Sequence, residues 1–95
     1  MTKTKPLLNW PARPRRRTNA VLGVTSRWES TWREEAGLPN LVIERFPQGS
    51  GRYIALRDAG LIRCRPIGCA STLRGAKQIC EREARKLTRA KLATV

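Results

Sequence analysis

Ninety-five residues make one small domain, and twenty Lys and Arg against seven Asp and Glu give a net charge of +13 and a pI near 11.4. There is no histidine, which excludes imidazole acid–base catalysis and imidazole metal ligation. No run approaches the roughly 18 apolar residues of a membrane span, and the basic start Met1–Leu8 lacks the apolar core of a secretory signal, so a cytoplasmic protein that meets no membrane is expected.

Residues 1–20 read as a basic and flexible tail, followed by one α+β domain over residues 21–95. Residues 1–17 carry six basic groups and no acidic one. Pro6, Pro11 and Pro14 interrupt any helix there. Arg13, Arg15, Arg16 and Arg17 form a block of the kind that tracks phosphates, and Trp10 is the one residue of the tail suited to docking.

Ser26 followed three residues later by Glu29 is a capping-box signature, and Gly37-Leu38-Pro39 is a helix stop. A short N-terminal helix over Ser26–Ala36 is therefore expected, with Trp28 and Trp32 on one face. The same tryptophans, with Ser30, would also share one face of a strand. In either form they read as core.

Three β-prone runs follow: Leu41–Phe46, Arg52–Arg57 and Leu61–Arg65, the last ended by Pro66. The glycine-bearing turns between them favour an antiparallel three-stranded meander. From Leu73 the pattern changes to helical. Leu73, Ala76, Cys80, Ala84 and Leu87 recur at steps of three and four, with Ser71 or Thr72 as the N-cap. The expected fold is α+β: a three-stranded antiparallel sheet packed on one face by a long C-terminal helix, plus the short N-terminal helix.

Alternation places Ile54, Leu56, Ile62 and Cys64 under that helix. It leaves Tyr53, Arg57, Arg63 and Arg65, with Arg52 nearby, on the open face. Guanidinium forks around one flat ring suit phosphates and bases. A charged outer face is also ordinary for a sheet packed on one side.

The segment Tyr53–Leu87 resembles the β-β-β-α module of the plant ethylene-response-factor DNA-binding domain. Related modules occur in homing endonucleases and in the arm-site-binding domain of phage tyrosine integrases. Tyr53, Gly60, Ile67-Gly68, Thr72 and Ala76 fall at the module's spacing, and Gly23-Val24 is similar to its opening. Ala70 stands where that family has a large aromatic, and Arg74-Gly75 replaces its acidic pair. The resemblance implies a sheet laid in the DNA major groove through Arg52, Tyr53, Arg57, Arg63 and Arg65.

No carboxylate pair, nucleophile–base pair or Walker-type loop is identifiable. Cys64, Cys69 and Cys80 lack a fourth ligand for zinc and read as buried free thiols. No catalytic residue, metal or cofactor is expected. The expected function is a non-enzymatic nucleic-acid-binding accessory protein of phage or mobile-element type, preferring DNA to RNA. The alternative is a small phage-encoded inhibitor of a host defence complex, anti-CRISPR-like, acting by contact with host protein. A third candidate surface is the basic helix side Lys77, Arg82, Arg85 and Arg89.

Overall fold

The computed structural model describes residues 6–19, 23–35, 37–45, 52–58 and 64–93. Its elements in chain order are β1 (Leu8–Asn9), β2 (Arg15–Asn19), β3 (Gly23–Glu29), β4 (Thr31–Trp32), β5 (Asn40–Arg45), β6 (Tyr53–Asp58), β7 (Cys64–Ala70) and α1 (Leu73–Ala93). Strands β2-β3-β5-β6-β7 form a five-stranded antiparallel sheet, and β1 pairs with β4 in a separate two-stranded ribbon. The fold is α+β, with its helix at the C-terminal end.

The expected three-stranded sheet with a short N-terminal helix is thus corrected to seven strands and no helix over 26–36 among the described residues. The reason is visible at Arg27 and Glu29. Their side chains are hydrogen-bonded at 2.9 Å, a pairing of residues two apart that a strand permits and a helix does not. Trp28 lies opposite Ile43 and is buried between them on the other face. Ser30 then donates to the Leu41 carbonyl through both its backbone nitrogen (3.1 Å) and its hydroxyl (2.6 Å). Those bonds tie the β3–β4 corner to β5. Gly37 takes a φ of +79°, the left-handed conformation that turns the chain back into β5.

The segment read as a basic tail supplies β1 and β2. Leu8 is 2% exposed and belongs to the core with Trp28, Leu41, Ile43, Ala55, Ala76, Cys80 and Ala84.

The face covered by α1 is also corrected. The side of β6 under the helix is Tyr53, Ala55 and Arg57, not Ile54 and Leu56. Ala55 has no exposed surface and meets a helix stripe of Ala76, Cys80 and Ala84, all fully buried. Small residues on both sides let helix and sheet approach closely. Trp28, Leu41 and Ile43 fill the space beyond. The central strand β5 is buried on both faces, since Val42, pointing away from the helix, is 1% exposed.

Strand β7 runs through Pro66 instead of ending before it. Ala55 pairs with Gly68 and Leu56 with Pro66, so Ile67 is an extra, bulged residue. It is packed, half-buried, against the core. Pro66 is tolerated because β7 is an edge strand. Ile62 and Arg63 lie outside the described residues.

Candidate nucleic-acid interface

The helix α1 carries two acidic residues, and both are engaged toward the protein. Glu81 accepts hydrogen bonds from the backbone N–H of Leu8 (2.9 Å) and of Leu7 (3.1 Å). It thereby satisfies amides at the start of β1, a short strand with few ladder bonds of its own. The same segment is held from β4: Leu8 pairs with Trp32, and Arg33 N–H donates to the Leu7 carbonyl at 3.1 Å. Trp32 is fixed in turn by a bond from its Nε1 to the Pro39 carbonyl. Glu83 faces Arg57 of β6 at 4.0 Å.

What remains on the outer side of α1 is cationic. Arg74, Arg82, Arg85, Lys86 and Arg89 are exposed, and Lys77 is half-buried. Lys91 is also exposed and pairs with Glu35 at 3.1 Å, a surface contact of small energetic weight. From Arg74 to Arg89 the row extends for about 22 Å at 1.5 Å per residue.

Between β1 and α1 lies a cleft of about 640 Å³. Pro6, Leu8 and Trp10 form one wall, and Arg74, Lys77 and Arg85 stand on the other. Asn9, Arg33, Gln78 and Arg82 complete the lining, with Glu81 bonded across it to the strand.

The residues singled out from sequence are dispersed. Tyr53 is half-buried, with Trp28 at 5.7 Å between ring centroids and the Arg45 guanidinium 5.3 Å from its own centroid. It is packing, not an open stacking platform. Arg57 lies on the helix side, half-buried, and its Nε is buried without a hydrogen bond. Arg65 is exposed opposite Arg57 on edge strand β7, and Arg52 is exposed before β6. Arg13, Arg15 and Arg16 are exposed, and Arg13 and Arg15 line a second cleft of about 350 Å³ that reaches Val42. Arg17 pairs with Thr25 in the β2–β3 ladder. Arg63 lies outside the described residues. Tyr53, Arg57 and Arg65 share one face of the sheet, and it is the face that α1 approaches, not an open one.

The sheet face away from the helix has a different chemistry, centred on Arg27. This residue is 8% exposed and lies 2.6 Å from Glu44, 2.9 Å from Glu29 and 3.8 Å from Asp58. Burial alone would lower its pKa, but the hydrogen bonds to Glu44 and Glu29 hold it above the ordinary arginine value. The three carboxylates take up the Arg27 charge, so the cations this face offers to solvent are Arg13 and Arg15 beside it. In the sequence, the only trace of the cluster is the Arg27-x-Glu29 alternation.

Cys80 is buried in the core, and desolvation, reinforced by Glu81 and Glu83, pushes its thiol up to about 12. Cys69 is a free thiol too, but exposed, against the expectation that it is buried. Among the described residues no group of three His, Cys, Asp or Glu could hold a metal ion, and no helix is long and apolar enough to cross a membrane. No protein-family model, curated protein or solved structure gives a significant match to this chain.

Proposed function

We propose that this chain is a non-enzymatic nucleic-acid-binding accessory protein whose principal contact surface is the outer side of α1 and the cleft beside it. The observation that carries this reading is the inward engagement of Glu81 and Glu83, which leaves a one-sign cationic row outside. Arginines dominate that row, and their forked donors suit phosphate oxygens. The exposed Arg13, Arg15 and Arg16 add charge at the opposite edge of the sheet. A cytoplasmic location accords with this reading, since nucleic acid and reduced thiols coincide there.

The test is a comparison of charge-removal sets by electrophoretic shift or fluorescence anisotropy. Replacing Arg82, Arg85 and Arg89 by Ala should weaken binding to every sequence alike. It should also reduce the slope of log affinity against log salt by about 2 to 3. Replacing Arg52 and Arg65 should have a smaller effect. Absence of binding to duplex and to single strand would remove the proposal. Nuclease-insensitive capture of one stoichiometric host protein would then favour the inhibitor reading.

A further inference from the structure

The cleft beside α1 is more selective than a phosphate track needs to be. A row of cations on an exposed helix would suffice to hold a polyanion, yet here it borders a recess of about 640 Å³. That volume lies within the roughly 300–1,000 Å³ of sites that enclose small organic groups. Its two walls differ. The strand wall is Pro6, Leu8 and the half-buried indole of Trp10, which rests against the core on its other side. The helix wall carries Arg74, Lys77 and Arg85. Asn9 and Gln78, both exposed, also line it and carry side-chain amides.

An apolar, aromatic wall facing a cationic one fits a ligand that is itself divided into a flat apolar part and an anionic part. A nucleotide with its base free has this division. In a duplex the bases are stacked and paired, and only phosphates and groove edges reach a protein surface. In a single strand the bases are available for stacking on aromatic side chains.

Building on the nucleic-acid reading above, we infer that the cleft receives an unstacked base of single-stranded nucleic acid. The base lies along Trp10 and within reach of the Asn9 and Gln78 amides. The flanking phosphates lie on Arg74, Lys77, Arg82 and Arg85. Strand β1 is thus part of the binding site, and its attachment to Glu81 sets the width of the cleft.

The experiment measures fluorescence anisotropy of labelled oligonucleotides with the full chain at one salt concentration. Four probes are compared: a single strand of DNA, the same strand in RNA, a DNA strand of equal length whose sugars lack bases, and the matching duplex. Binding of either base-bearing single strand on the order of tenfold tighter than both the abasic strand and the duplex is expected. Trp10→Leu should bring the single strand down to the abasic level, with the circular dichroism of the wild type. Should that variant fail to fold, the abasic comparison on the wild-type chain still decides. Equal binding of abasic and base-bearing strands, or of duplex and single strand, overturns the inference and leaves the proposed function standing. No binding to any probe overturns both.

Discussion

Replacing Arg27 by Met would take away the cation shared by Glu29, Glu44 and Asp58, which now lie 2.9, 2.6 and 3.8 Å from it. The expected loss is about 3 kcal/mol in urea unfolding. That is the lower end for breaking a buried ion pair, because Glu29 and Asp58 keep part of their hydration. Combining the change with Glu44→Gln should cost less than the sum of the two single changes. The cysteines divide as sharply. Alkylation followed by peptide mass analysis should modify Cys69 promptly and Cys80 only at the rate of structural opening. Cys80 also has a pH signature. Its thiol ionises near 9 when exposed and near 12 in the fold. Its contribution to stability is therefore complete below pH 9 and falls away as pH rises from about 9 to 12. Cys80→Ala should flatten the pH dependence of unfolding in that window relative to wild type. The burial of Cys80 was legible from its helical step within Leu73–Leu87. The role of Arg27 was not, because its partners come from three different strands.

At the scale of elements, Glu81 acts as a clasp for β1. Glu81→Ala should cost about 2 kcal/mol, the worth of two hydrogen bonds to a charged acceptor in a partly solvated place. Amide exchange at Leu7 and Leu8 should rise more than at Ile43, which distinguishes local release from general loosening. Strand β7 meets the helix tightly at Gly68, where an added Cβ would come within 3.1 Å of Ile79 Cγ2 and 3.3 Å of Cδ1. Gly68→Ala should cost about 1 kcal/mol through displacement of that side chain. With Ile79→Ala the two effects should combine less than additively in denaturant unfolding. The helix over Leu73–Ala93 was readable because one stripe at helical spacing fixes its inward face. The stretch Ser26–Ala36 was not, because a capping-box spacing is a local signal and strand pairing with Ile43 and Val42 overrides it. In β6 the alternation was sound, but both faces carry apolar residues. Only the small size of Ala55 hinted at which face the helix would approach.

Across the whole molecule, charge is unevenly placed. The sheet face away from α1 mixes Arg13, Arg15 and Arg27 with three carboxylates, whereas the outer helix is cationic. This distribution is what the net charge of +13 alone could not locate. If six cations of the cleft and helix meet phosphates, log affinity against log salt should fall with a slope of about −4 on single strands. A slope near zero would indicate an apolar or specific neutral contact instead. The α+β class followed from periodicity. The pairing of the first residues with the helix did not, since nothing local in Leu7-Leu8-Asn9 announces an acceptor so distant in sequence.

That distance has a consequence for how the molecule is made. Leu8 and its acceptor Glu81 are 73 residues apart, so strand β1 emerges from the ribosome long before the helix that fastens it. The early segment can pair with β4 during synthesis, but its Leu7 and Leu8 amides wait for Glu81 until the helix is made, and loop closure on this scale slows that step. The cleft, having one wall from each end of this interval, is completed last. A nascent chain would therefore acquire its helix and sheet before it could take hold of a ligand there.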